Sequence, residues 1–287
     1  MHSERFEPRA AASAACLPGY MRALLVVAFL ALALLGGCTT PAERFSQTAA
    51  TMGLERSVVT GAGFRHALFW RNRGRAGAVL HVYIDGDGTP DIGGYPAADP
   101  TSRNPLTLRL LALDPGPAVL LGRPCYDGLA DDAGCRPALW MDERYSEAVV
   151  SSMAAALRGI LAQDSYRQVA WFGHSGGGTL AVLLAARVPE TAAVVTVAAN
   201  LDIDAWSASR HARPLSGSLN PARQPALPAG IVQRHFAGAR DEVVPPEVTR
   251  KGLGAGVQLT VVPDYDHRCC WEKMWPGMLA ELAEQGL

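Results

Sequence analysis

The segment from Gln168 to Val188 constrains this chain more than any other. An apolar run, QVAWF (168–172), leads into Gly173-His174-Ser175-Gly176-Gly177 and then into TLAVLLAARV (179–188), a helical pattern. That pattern stops at Pro189, which has no amide to continue a helix. The pentapeptide fits G-x-S-x-G. With 29 glycines in 287 residues, about one chain in seven of this composition would carry the string by chance, so its setting decides. A strand before and a helix after describe a sharp bend in which a serine is held with its hydroxyl exposed. The glycines are required because crossing backbone leaves no room for side chains. Gly176, Gly177 and Gly178 open the helix and set its positive end near any anion formed at Ser175.

The rest of the chain alternates in the same way. Strand-like runs occur at 78–84 (AVLHVYI), 117–121, 193–198, 232–236 and 257–262, and helical spacing at 106–113, 143–161 and from about Trp271 to Leu282. Strand and helix taking turns predicts an α/β fold, with a mostly parallel sheet and helices on both faces. Residues 201–229, rich in proline, serine and arginine and without a period, read as a short cap excursion over the sheet edge. No internal repeat or low-complexity tract is present.

From about Gly77 to Leu287 the chain resembles the α/β-hydrolase fold serine hydrolases. In that family the nucleophile follows a central strand, then come an acid and a histidine, each after a later strand. The resemblance implies Ser175 as nucleophile, Asp241 (in HFAGARDEVVP) as acid and His267 (in VVPDYDHRCCW) as base. Serine attacks once histidine takes its proton, and the carboxylate orients the imidazole. His267 is the only histidine after Asp241; His211 lies in the irregular excursion and His235 in a strand pattern. Glu242, Asp264, Asp266, Asp202 and Asp204 remain alternative acids. The family's oxyanion donors correspond to the amide of Gly176 and one from Asp85-Gly86-Asp87-Gly88, with either Gly86 or Asp87 as the inward amide. Trp140, Trp206, Trp271 and Trp275 are either acyl-pocket or packing residues.

Before the domain, Ala23 to Leu35 is uncharged and apolar, with Arg22 on its entry side and Leu35-Gly36-Gly37-Cys38 at its exit. About 13 residues at 1.5 Å each reach roughly 20 Å, short of the 30 Å or so of membrane hydrocarbon. The run fits an export signal and resembles a bacterial lipobox, which implies cleavage before an acylated Cys38 and anchoring at a bacterial membrane, facing the periplasm or cell exterior. Met21 is an alternative start. The organisation expected is a signal peptide over 1–37, a tether over 38–45 and the hydrolase domain over 46–287.

A formal net charge of −1, with only Lys251 and Lys273 beside the arginines and no basic cluster, gives nucleic acid no electrostatic footing. In an oxidising compartment Cys125 and Cys135, ten apart in a turn-rich loop, are expected to bridge. Cys269 and Cys270 stay open: a cross-link to that loop, or free thiols. An EF-hand loop from Asp85 would need glycine at 90 and glutamate at 96, and both are proline. Gly252, Gly254 and Gly256 precede a strand, so they are not a dinucleotide loop. The expectation is a serine hydrolase acting on a small-molecule carboxylic ester, with no metal or cofactor. A peptidase or thioesterase with the same triad, or a binding lipoprotein that keeps the fold without turnover, stay open. Oligomeric state is not legible.

Overall fold

The computed structural model describes residues 39–74 and 79–287. The expected signal peptide, Cys38 and positions 75–78 lie outside the described residues. Among the described residues the chain runs α1 (Pro41–Thr51), β1 (Glu55–Thr60), β2 (Arg65–Arg71), β3 (Val79–Ile84), a small hairpin of β4 (Asp91–Ile92) and β5 (Tyr95–Pro96), α2 (Leu106–Ala112), β6 (Ala118–Leu121) and α3 (Glu147–Gln163). It continues through β7 (Gln168–His174), α4 (Gly176–Ala185), β8 (Thr191–Val197), α5 (Ile203–Ser209), β9 (Val232–Gly238), α6 (Pro246–Lys251), β10 (Leu259–Val262) and α7 (Trp275–Glu284).

Eight strands form one sheet in the order β1-β2-β6-β3-β7-β8-β9-β10. From β6 to β10 every pairing is parallel, and β2 alone runs antiparallel to both neighbours. The period of two along each strand sends alternate side chains to opposite cores. Leu80, Val82, Ile84, Val119, Leu121, Val169 and Trp171 pack with Met153 and Leu157 of α3 and Leu180 and Leu184 of α4. Tyr83, Leu120, Ala170 and Phe172 pack on the other side with Phe45 of α1, Leu106 and Leu110 of α2 and Trp275 and Leu282 of α7. Covered on both faces, the central strands read in the sequence as unbroken apolar runs.

The first three elements were not expected. Residues 41–45, read as tether, begin α1: Thr40 and Glu43 form a reciprocal cap, Pro41 suits the first turn, and Phe45 is buried. Strand β1 escaped notice because it is an edge strand whose residues are mostly exposed or half-buried, so its hydrophobic signal is weak, whereas β2 carries a buried apolar run, Ala67 to Trp70, as legible as those of the central strands. Within the cap excursion α5 is regular, started by Asp202, whose Oδ1 accepts the amides of Asp204 and Ala205. Cys125 and Cys135 are bridged, and Cys269 and Cys270 pair with each other.

Buried histidines stitch the layers. His66 of β2 donates from Nδ1 to the Gly122 carbonyl at 2.9 Å and accepts the Ser152 hydroxyl of α3 at Nε2, 2.8 Å away. His235 of β9 lies 2.8 Å from Thr196 Oγ1 on β8. Burial pushes both imidazoles down to about 4. Below pH 6.5 the unfolded chain takes up protons at these positions while the folded chain does not. Their stabilisation is therefore complete above about pH 6.5 and is lost as pH falls toward 4. Asp127 and Asp85 work in the opposite sense, the Asp127 carboxyl raised to about 8 by burial and by Asp85 and Asp99 and the Asp85 carboxyl pushed up by burial, so they offset part of the histidine effect. Between pH 7 and pH 5 the melting temperature of the wild type is expected to fall by several degrees relative to that of a folded His66→Gln, His235→Gln variant, which lacks the histidine contribution and keeps that of the carboxyls. Equal pH slopes for the two proteins in scanning calorimetry would contradict neutral burial.

Candidate active site

Ser175 sits between β7 and α4 in a left-handed conformation, φ 54° and ψ −125°. A non-glycine residue held there costs about 1–3 kcal/mol and persists only where its surroundings enforce it. They do. The Ser175 amide donates to the Val197 carbonyl at the end of β8, and the Ser175 carbonyl accepts from the Gly178 amide, each at 2.9 Å. A Cβ on Gly173 would lie 2.4 Å from the Gly177 carbonyl oxygen, and one on Gly177 would lie 2.1 Å from the Ile84 carbonyl oxygen. The G-x-S-x-G glycines are thus demanded by backbone crossing backbone.

The loops after β9 and β10 bring the other two residues in. His267 donates from Nδ1 to Asp241 Oδ2 at 2.8 Å, and the Ser175 hydroxyl lies 3.1 Å from His267 Nε2. The other Asp241 oxygen accepts the amides of Val243 and Val244 at 2.9 and 2.8 Å, which fixes the carboxylate. Asp241 is buried, with a fully covered side chain. Of the alternative acids, Glu242 is exposed, Asp204 pairs with Arg223, and the others are engaged elsewhere. Asp202 caps α5, Asp264 pairs with Arg240, and Asp266 Oδ1 accepts the amides of Arg268 and Cys269. His211 is exposed and His235 belongs to the sheet packing.

Opposite Ser175 runs the loop after β3. A Cβ on Gly86 would lie 3.4 Å from the Ser175 Cβ, so the loop backbone borders the hydroxyl. Its shape is set by Asp87, whose carboxylate accepts the Tyr145 hydroxyl at 2.7 Å and Arg144 Nη1 at 3.0 Å and lies 2.8 Å from Arg123 Nη2. Burial opposes that charge, but Arg123 and Arg144 outweigh it and hold the carboxyl down at about 2. The Arg123 guanidinium is itself sandwiched near the rings of Tyr126 and Tyr145. The Tyr126 hydroxyl donates to the Asp87 carbonyl at 3.1 Å. Asp85 goes the other way, its Oδ1 accepting the Thr107 hydroxyl at 2.6 Å while burial pushes its carboxyl up. Among the described residues the amides of Asp87 and Gly176 donate to no protein acceptor.

His174, the variable residue before the serine, donates from Nε2 to the His267 carbonyl at 2.8 Å. Burial and the neighbouring His267 push it down to about 3, so it stays a neutral donor that fixes the histidine loop. Neither this contact nor the grip on Asp87 was legible in the sequence, because the partners lie 36 to 93 positions apart with no spacing rule. The cleft over Ser175, about 430 Å³, is lined by the 85–90 loop, Arg103, Arg144, Asn200, Trp206, Val243, Val244, His267 and Arg268. Of the four tryptophans considered, only Trp206 lines it; Trp140, Trp271 and Trp275 are buried in the packing. A larger cleft of about 580 Å³ lies between α4, residues 221–229 and the 251–257 loop, and contains none of these groups. Among the described residues no cluster of His, Cys, Asp and Glu suits a metal ion.

No family model and no curated protein sequence matches the chain. Its likeness to solved structures is one of fold. An α/β serine hydrolase without a lid from Xanthomonas campestris aligns with a TM-score of 0.53 at 13% identity, over 82% of this chain and 95% of that one. An esterase from Pyrococcus furiosus gives 0.54 at 13% identity, over 86% and 95%. A membrane phospholipase A described as a bacterial virulence factor gives 0.55 at 15% identity, over 92% and 96%. With its strand order, its single antiparallel strand β2 and helices on both faces of the sheet, the chain has the α/β-hydrolase fold.

Proposed function

We propose that this protein is a serine hydrolase that cleaves carboxylic esters through an acyl-serine intermediate. The observation that carries the reading is the unbroken chain Asp241 Oδ2, His267 Nδ1, His267 Nε2, Ser175 Oγ, at 2.8 and 3.1 Å, opening on a cleft. Ser175 Oγ attacks the ester carbonyl as His267 Nε2 takes its proton. Asp241 holds the imidazole in the tautomer that leaves Nε2 free and stabilises the imidazolium. The oxyanion forms beside the α4 N-terminus, where the amides of Gly176 and of Asp87 or Gly86 receive it. The loop that carries both of these amides is fixed by the grip of Arg123, Arg144 and Tyr145 on Asp87, so the second donor is one of the two. His267 then returns the proton to the departing alkoxide, and water repeats the sequence to release the acid. No step needs a metal or organic cofactor. Ester rather than peptide or thioester cleavage is supported by the esterases and the phospholipase among the structural neighbours.

The reading includes an anchor. The apolar run before Leu35-Gly36-Gly37-Cys38 supports export, cleavage and acylation of Cys38, with two or three acyl chains holding the domain at a bilayer at about 0.8 kcal/mol per buried methylene. Among the described residues no helix is long and apolar enough to cross a membrane. In cells that process lipoproteins, the chain is expected to fractionate with membranes and to begin at a lipid-modified Cys38 by mass spectrometry. An unmodified Cys38 in a soluble exported chain would overturn the anchor and leave the chemistry standing.

Turnover of p-nitrophenyl butyrate tests the chemistry. Ser175→Ala and His267→Ala should each lower kcat by on the order of 10^4-fold or more, and the double variant should be little worse than either, because the two act as one unit. Near-wild-type rates in either variant would refute the mechanism. Asp241→Asn should lower kcat by about 10^4-fold with the melting temperature nearly kept, since the amide stabilises the wrong imidazole tautomer. A comparable loss at Asp202, Asp264 or Asp266, with Asp241→Asn near normal, would reassign the acid.

A further inference from the structure

The cleft over Ser175 has walls of opposite character. Trp206, Val243 and Val244 give it an apolar side, and Arg103, Arg144 and Arg268 give it three guanidinium groups. Three arginines around one cleft call for anions, and the protein does not supply enough of them. Asp87 already faces two cations, Arg123 and Arg144. Burial pushes the Asp85 carboxyl up, toward its neutral form. Asp241 is held to His267, and Asp266, whose Oδ1 accepts the amides of Arg268 and Cys269, keeps its negative charge beside Arg268. Four guanidinium groups, Arg103, Arg123, Arg144 and Arg268, still outnumber the carboxylates of Asp87, Asp241 and Asp266 around the cleft. Arg103 and Arg268 are exposed and form no ion pair among the described residues.

Arg144 is the telling member. It is 8% exposed, its Nε donates to the Met141 carbonyl and its Nη1 to Asp87, which leaves Nη2 without a partner among the described residues. A buried guanidinium fixed on two sides, with its third nitrogen free in a cleft-lining position, is a rigid fork that has already lost most of its conformational entropy. Asn200, 3% exposed and also lining the cleft, has a buried Oδ1 with no partner. A purely hydrocarbon ester would cover Arg144 Nη2 and leave it unpaired, which penalises binding. A ligand with an anionic end would satisfy it.

We infer that the cleft selects an ester carrying a second, anionic group, a carboxylate or a phosphate, received by Arg144 together with Arg103 and Arg268. The inference rests on the ester-hydrolase reading of the same cleft and names its substrate class. The apolar wall of Trp206, Val243 and Val244 takes the hydrocarbon part. Positive charge around a concave site also draws anionic ligands in, an effect that salt weakens.

Equilibrium binding to Ser175→Ala, which needs no turnover, tests this apart from the chemistry. Three ligands are compared at low salt: p-nitrophenyl butyrate, the p-nitrophenyl monoester of glutarate, and a short-chain monoacylglycerol phosphate. At least one anionic ester should bind about tenfold or more tightly than the neutral one, with the advantage shrinking in 0.5 M salt. The better of the two tells carboxylate from phosphate. In Arg103→Gln and Arg268→Gln the advantage should fall severalfold, while Arg158→Gln on the exposed face of α3 should keep it. Arg144→Lys, which retains the charge near Asp87, should lose more of the advantage than either rim variant. Equal affinity for all three ligands, or an advantage untouched by every arginine variant, would overturn the inference. Hydrolysis of the neutral ester by the wild type in that event would leave the hydrolase reading intact, whereas anion-selective binding with no turnover of any ester would support the recognition and refute the chemistry.

Discussion

Everything at the site depends on one close approach: the first turn of α4 lies so near the end of β3 that Gly177 has no room for a single carbon against the Ile84 carbonyl. This approach forces the chain through the left-handed turn at Ser175 and sets the hydroxyl beside the 85–88 loop. It also aims the free amides of the helix start at the space above the serine. The backbone strain at Ser175, of order 1–3 kcal/mol, is sustained by sheet hydrogen bonds and two cores packed on opposite faces. A looser junction would let the serine relax, and the histidine contact at 3.1 Å would open with it.

The loop facing the serine is held by charge rather than by packing. Asp87 is half-buried with two arginines and a tyrosine around its carboxylate, and one of those arginines, Arg123, lies within 2.8 Å without hydrogen-bond alignment. Burying such a cluster is costly unless it is well paired, so it is weak evidence for stability and better evidence for a geometry that has to be kept. What it keeps is the backbone of residues 85–88 against Ser175. The neutral His174 does the same for the histidine loop from the other side.

How much of this was legible follows from the physics of each signal. Central strands β3, β7 and β8 are buried on both faces and announce themselves as apolar runs, and the glycines around Ser175 are imposed by local backbone geometry. The three residues of the chain Asp241, His267, Ser175 each follow a strand of the parallel sheet, so their order along the sequence survives in the fold. Edge strand β1 was missed because an exposed edge carries little hydrophobic signal, and helix α1 because its buried stripe of Ala42, Phe45 and Ala49 holds only one large apolar side chain. Arg123, Arg144 and Tyr145 were invisible because ion pairs between distant segments obey no spacing rule. Asn200 and Trp206 gained meaning only when the cleft that they line was seen.

The central claim is that Ser175 is a nucleophile activated by His267. The most direct measurement is labelling of the folded protein with a fluorophosphonate, followed by peptide mass spectrometry. The account requires a single adduct, on Ser175, formed rapidly in the wild type, strongly slowed in His267→Ala and accompanied by loss of ester turnover. Absence of any adduct at Ser175 in a folded protein, or turnover that persists when Ser175 is fully labelled, would contradict it.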